Sequence, residues 1–347
     1  MKRYLILAVL VLSVAVSAFS ADFIDGRIRL VLNPNNGRFS LFYMSDIARE
    51  EFVPLFASQD PRTSFLSLIV NSRTYKLGDS SSFKTSIGGT SSNPSLIFES
   101  SFIVVTESFS FVKTGSSSIT NGVIITITIT NKSEQTVEAG LRLLLDTDLG
   151  EKTSAHFSTN LGAINGETII GFPSAEKYWV SKNDKLTLVG SLNYRNQQDT
   201  VYFANWKRLN DAPWKIPVLQ GRNFSLLPYS INDSAVCYYY EPAPVPKGGS
   251  RTVSIALYSI APGEENDFTI TGVNAGSGQS AAEEKPAQEN PKADNDLADS
   301  IKADLITLQI FVSRLDECIL YGVYISDEEL ASMNLLIFRI KSKYSIP

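Results

Sequence analysis

The chain has 347 residues, 43% of them hydrophobic and 19% charged, with 31 basic against 36 acidic side chains and a net charge of −5. That length can bury one large core or two smaller ones. An acidic balance without a basic cluster excludes nucleic-acid and anionic-membrane surfaces, and two cysteines, Cys237 and Cys318, are too few for a disulfide-built scaffold.

Lys2 and Arg3 precede an apolar run from Tyr4 to Val16, and Ala18 and Ser20 flank Phe19. This pattern predicts a secretory signal over residues 1–20 rather than a membrane anchor. Loss of Lys2 and Arg3 leaves 29 basic against 36 acidic residues, a net charge of about −7. The expectation is a periplasmic or secreted protein that spans no membrane after cleavage.

Residues 21–273 read as β structure. "RIRLVLNPNNGRFSLFY" places two strands around an Asn-Pro-Asn-Asn-Gly turn, and "FLSLIVNSRTYKL" repeats the device at Asn71-Ser72. In "GVIITITITNKSEQTVEAGLRLLLDT" Val123, Ile125, Ile127 and Ile129 share one face. After a polar turn, Val137, Ala139, Leu141, Leu143 and Leu145 do the same. We read this as a hairpin with one face packed inward. Further strand-like runs lie near 95–113, 167–171, 186–192, 200–206, 234–241 and 251–259. Many short strands without helical periodicity predict a large antiparallel β-sandwich, supersandwich-like, with two stacked smaller sandwiches as the alternative.

Residues 274–295, "NAGSGQSAAEEKPAQENPKADN", contain no large apolar side chain and read as a flexible acidic linker. The period then changes. Ile301, Leu305, Leu308, Val312, Leu315 and Ile319 form a helical stripe. After Gly322, Ser326 and Glu329 make a capping box, and Leu330, Met333, Ile337 and Ile340 continue the stripe. A helical hairpin over 296–347 is too small to form its own core. It is therefore expected to dock on a partner protein, on a second copy, or on the sandwich. Cys237 falls in a strand pattern and Cys318 in a helical one, which favours two buried free thiols over a pair.

Two stretches carry candidate chemistry. "LRLLLDTDLGEKTSAHF" ends a strand in Asp146-Thr147-Asp148, followed by Gly150, Glu151 and His156, the sole histidine. Asp146 and Asp148 are candidate ligands for a calcium-like cation, although the further ligands of a calcium loop are missing. With Leu145 inward, Asp146 is expected to face solvent, and a solvated strand end is the preferred reading. A glycosidase pair drawn from Asp146, Asp148 and Glu151 is a minority reading. No Gly-x-Ser-x-Gly, His-Glu-x-x-His or phosphate-binding glycine loop occurs. No catalytic residue is assigned and no cofactor is expected. The second stretch, "VYFANWKRLNDAPWKIPVLQGRNF", gathers Trp206, Arg208, Asp211 and Trp214. It is either an aromatic loop for stacking on a glycan or a loop with its tryptophans in the core. "SINDSAV", with Asn232, Asp233 and Ser234, reads as a polar turn feeding a strand.

"VEAGLRLLLDTDLG", "FANWKRLNDAPWKIPV", "GRNF" and "PYSINDSAVCYYYEPAPVPKGGSRTVSIALYSIAPG" resemble a family of uncharacterised secreted bacterial β-sandwich proteins over residues 120–262. The resemblance implies a sandwich similar to those of sugar-processing and sugar-binding proteins, and an extracytoplasmic location. It implies no role for His156, because family members carry an Asn/Asp-Gly turn where this chain runs from Glu151 to His156. The preferred expectation is a non-enzymatic interaction protein working through its helical hairpin. Carbohydrate binding is the alternative, and sugar-active enzymology is a third class.

Overall fold

The computed structural model describes residues 20–273 apart from 58–60, 116, 193, 195–197 and 261–269. The expected signal segment, the linker at 274–295 and the helical stripe from Ile301 to Ile340 lie outside the described residues, as does Cys318. No helix among the described residues is long and apolar enough to cross a membrane.

In chain order the strands are β1 (Ala21–Asp25), β2 (Ile28–Asn33), β3 (Arg38–Asp46), β4 (Glu51–Pro54), β5 (Phe65–Val70) and β6 (Arg73–Lys76). Then come β7 (Lys84–Thr90), β8 (Asn93–Glu99), β9 (Ile103–Thr114), β10 (Gly122–Asn131), β11 (Val137–Asp146), β12 (Phe157–Thr159) and β13 (Gly162–Ile164). The last are β14 (Thr168–Gly171), β15 (Tyr178–Lys182), β16 (Thr187–Ser191), β17 (Thr200–Asn205), β18 (Ser234–Val245), β19 (Ser250–Ile260) and β20 (Ile270–Val273). Among the described residues one short α-helix, α1 (Trp206–Asp211), follows β17, and a 3-10 turn spans Pro61–Thr63 before β5.

The strands form a large antiparallel sandwich. β1 to β4 make a four-stranded sheet. A ten-stranded sheet runs β13-β12-β15-β16-β19-β10-β9-β8-β7 with β20 on β9, and a six-stranded sheet runs β14-β17-β18-β11-β5-β6. One core joins all three sheets: Leu30 and Leu41 from the first, Phe109, Ile125 and Leu257 from the second, Leu143, Phe203 and Tyr238 from the third. Burying such alternating rows supplies the main stabilisation, about 1.5–3 kcal/mol for each large apolar side chain.

The predicted hairpins β2–β3 and β5–β6 form as expected. Asn71 and Ser72 both take positive φ, the two-residue turn geometry that matches strand twist. The expected hairpin of β10 with β11 does not form. β10 pairs with β9 and β19, while β11 pairs with β5 and β18 in the other sheet. The polar connection is thus a corner between sheets. Asn131 shapes it, its side-chain amide donating to the carbonyls of Gln135 and Val245 at 2.7 and 2.9 Å and its Oδ1 accepting from Ser133.

The six-stranded sheet is covered on its outer face too. Phe65, Leu144, Tyr202, Cys237 and Tyr239 point away from the main core and pack under Leu209 and Ile216, with Trp206 and Trp214 against them. Arg142, on the same face, is buried and donates to the carbonyls of Ala212 and Trp214 at 3.0 and 2.8 Å, which ties this cover down. Cys237 is a buried free thiol whose pKa burial pushes up to about 11.

Candidate functional site

Asp146 is the last residue of β11 and lies on the covered outer face, in step with Arg142 and Leu144. It is only 4% exposed, which corrects the expectation that it meets solvent. The alternation was right; the face it assigned to water is covered by other segments of the chain. Both backbone polar groups of Asp146 are held, the N–H donating to Ser64 Oγ at 3.0 Å and the carbonyl accepting from Ala57 N–H at 2.8 Å.

Beyond Asp146 the chain doubles back. Gly150 lies against His156, and a Cβ at 150 would overlap the His156 carbonyl. Ser181 Oγ links both, accepting from Gly150 N–H at 3.0 Å and donating to the His156 carbonyl at 3.2 Å. This fold-back brings Glu151 to Ser234, whose N–H donates to Glu151 Oε1 at 2.8 Å across 83 residues of sequence. The Ser234 hydroxyl meets His156 Nδ1 at 2.8 Å. The imidazole lies over Phe224 with ring centroids 4.7 Å apart.

Asp233 completes the group because β18 pairs with β11 in a register that sets Ala235 opposite Asp146. Carboxylate oxygens of Asp146, Glu151 and Asp233 lie within 4.8 Å of one another. Asp148 is not among them; it sits exposed on the turn, where its carbonyl accepts from Glu151 N–H at 3.2 Å. The acidic cluster therefore keeps Asp146 of the two predicted cation ligands and replaces Asp148 with Glu151 and Asp233.

The electrostatics follow from the crowding. Burial pushes the Asp146 carboxyl up to about 8, and the charges of Asp233 and Glu151 add to the shift. Thr63 lies near enough to offset part of it, yet Asp146 Oδ1 and Thr63 Oγ1 each complete no hydrogen bond among the described residues. Burial raises Glu151 to about 7, against the favourable Ser234 N–H. Asp233 is raised by burial and partly relieved by the Ser230 hydroxyl, which donates to its Oδ2 at 2.7 Å. Burial lowers His156, so the neutral imidazole dominates at neutral pH.

Asn205 holds this end of the molecule together. Its side-chain amide donates to the carbonyls of Phe224 and Asp233 and to Ser230 Oγ, at 2.9, 3.0 and 2.8 Å. Its Oδ1 caps α1 by accepting from Arg208 N–H at 3.2 Å. Asn205→Ala removes the cap and leaves buried acceptors unpaired, so urea unfolding is expected to lose about 2–3 kcal/mol. A loss below about 1 kcal/mol, the value of a cap alone, contradicts this pinning role.

The predicted aromatic loop is spent internally. Trp206 Nε1 donates to the Thr63 carbonyl at 2.8 Å. Arg208 pairs with the fully buried Glu167 and donates to the Pro217 carbonyl at 2.6 Å. Trp214 packs edge-on to Tyr239 at 5.7 Å, and Asp211 pairs with Lys207 at 2.7 Å one helical turn away. Asp211 is exposed, and these contacts leave Trp206, Arg208 and Trp214 half-buried. Sequence reasoning missed Asp233 as a partner of Asp146, since only the β11–β18 register brings them together.

No family model matches the chain, and no curated protein matches it. Solved structures do. A putative aldose 1-epimerase from Escherichia coli K12 matches at 9% identity and TM-score 0.44, over 70% of this chain and 99% of that one. A galactose mutarotase related enzyme from Lactobacillus acidophilus matches at 8% identity and TM-score 0.42, over 73% and 100%. An aldose epimerase homologue from C. elegans matches at 8% identity and TM-score 0.43, over 70% and 99%. The expectation of a non-enzymatic interaction protein is corrected here. The matching structures are named as epimerase and mutarotase-like proteins, and where a solvated strand end was expected the described residues group the buried Asp146 with half-buried Glu151, Asp233 and His156.

Proposed function

We propose that this protein is a carbohydrate-active sandwich, supersandwich-like and exported from the cytoplasm, whose site is the cluster of Asp146, Glu151, Asp233 and His156. The observation that carries the reading is the meeting of Glu151 and His156 on Ser234, beside two further carboxylates. Burial keeps the Asp146 carboxyl largely protonated at neutral pH, so the cluster both donates and accepts, which suits a neutral ligand whose groups do both, as a sugar's hydroxyls do. The loop that ends in Asp233 adds exposed Leu227, Tyr229 and Ile231 at its tip, apolar surface suited to a sugar face.

The chemistry we assign is proton transfer. Ser234 Oγ can accept from Nδ1–H or donate to bare Nδ1, which leaves His156 Nε2 as acceptor in one tautomer and donor in the other. A two-carboxylate hydrolytic mechanism fits less well. One oxygen from each of the three carboxylates lies within 4.8 Å of the others, a crowded set rather than a pair facing across a sugar-sized gap.

The test is magnetisation-exchange NMR on neutral aldoses, comparing the protein with His156→Gln. The protein is expected to speed anomer interconversion of at least one sugar, and the variant to lose about 10²-fold or more of that rate. Equal rates with and without protein for every sugar contradict the assigned chemistry.

A further inference from the structure

We propose that Asp146, Glu151 and Asp233 form a binding site for one divalent cation of calcium's size. The first observation is geometric. One oxygen from each residue falls within 4.8 Å of the others, the span across a sphere built of calcium–oxygen bonds of about 2.4 Å. Magnesium dehydrates reluctantly and demands near-ideal octahedral geometry, which suits three carboxylates on fixed backbone less well. Carboxylate oxygens alone also favour a hard cation over zinc or copper, which seek nitrogen and sulfur.

The second observation is independent of the clustering. Asp146 is 4% exposed, and its Oδ1 completes no hydrogen bond among the described residues. A buried polar oxygen without a partner is costly, and a bound cation would relieve that cost where a proton otherwise must. The backbone around Asp146 is fixed by Ser64, Ala57 and the pairing with Ala235, so relaxation toward water is blocked. The other two carboxylates are each held at one oxygen. Glu151 has Oε1 held by Ser234 N–H, and Asp233 has Oδ2 held by Ser230 Oγ. Each keeps a second oxygen for a ligand.

Three protein oxygens cannot fill a coordination shell of six to eight. Water or the hydroxyls of a bound sugar would supply the remainder, which gives the cation a place in the carbohydrate reading without depending on it. A shell so incomplete implies weak binding, with Kd on the order of 10⁻⁴–10⁻³ M.

Isothermal titration of CaCl2 into the full chain after dialysis against chelator tests the proposal, with thermal unfolding in parallel. The expected result is one saturable site, a Tm that rises by about 3 °C at about 10 mM Ca²⁺, and weaker binding of Mg²⁺. Asp146→Asn keeps the shape and removes the charge. It is expected to fold, with an unliganded Tm equal to or above that of the parent, and to bind Ca²⁺ at least tenfold more weakly. No saturable heat with the parent up to about 10 mM Ca²⁺ overturns the proposal, and so does parental affinity in Asp146→Asn. Sugar titrations run in EDTA report on the carbohydrate reading alone, so the two can fail separately.

Discussion

Glu107→Gln is expected to stabilise the protein at neutral and alkaline pH and to change nothing near pH 4. Glu107 stands between Val105 and Phe109 on the inward row of β9, is 1% exposed, and has an Oε1 with no hydrogen-bond partner among the described residues. Burial raises its carboxyl from 4.5 to about 8, and the nearby Arg38 guanidinium offsets only part of the shift. The folded state therefore holds a proton that the unfolded state releases. Stability from this group is complete below about pH 4.5, declines as pH rises through the window, and is lost above about pH 8. At pH 7 the deficit is on the order of 3 kcal/mol, and Gln, which mimics the neutral acid, removes it. Urea unfolding at pH 4.5, 7 and 9 reads the effect. A gain of equal size at all three pH values contradicts the buried-acid account, as does no gain at pH 9.

Trp179→Ala is expected to cost about 4 kcal/mol, from the cavity left by a large ring. Trp179 is fully buried in β15 and touches the opposite sheet directly, its Nε1 donating to Tyr238 Oη at 2.6 Å. Tyr238, on β18, donates in turn to the Ser191 carbonyl at 2.8 Å. Phe157 packs edge-on to the indole at 5.9 Å, and Gly190 lies so close that any Cβ would overlap it. Tyr238→Phe keeps the packing and loses the two hydrogen bonds, for an expected cost of about 1–2 kcal/mol. Chemical denaturation of both variants measures the ladder. A Trp179→Ala loss below about 2 kcal/mol indicates a core that collapses around the gap, against the account of a rigid bridge between sheets.

The strand grammar was legible because one face of most strands meets the main core. Val123, Ile125, Ile127 and Ile129 alternate with Thr126, Thr128 and Thr130, and the threonines of this strand meet Ser254, Thr252 and Ser250 across the β10–β19 pair. Alternation says nothing about which strand lies next. The short polar connection from β10 to β11 looks the same whether it closes a hairpin or turns a corner between sheets. Alternation also fails where both faces are covered. Leu144 and Cys237 on the outer face were the available sign that β11 and β18 carry a second layer, and hence that Asp146 is buried.

The candidate site was half legible. Asp146, Glu151 and His156 are close in sequence, and the fold-back at Gly150 keeps them close in space. Asp233 and Ser234 come from another strand, and only the register with β11 reveals them. Trp206 and Trp214 left two readings open, a sugar platform or a cover over the core, because local composition cannot distinguish a ring facing solvent from one that covers a sheet.

The central claim is that the cluster around His156 is a ligand site, and the most direct measurement is NMR of that imidazole during titration with neutral sugars. His156 is the chain's sole histidine, so its ring signals need no further assignment. The account predicts a saturable shift of the Nε2 and ring-proton signals with at least one sugar, absent in Glu151→Gln or much weakened there. Ring signals that stay fixed through the whole sugar panel, with the protein folded, would contradict it.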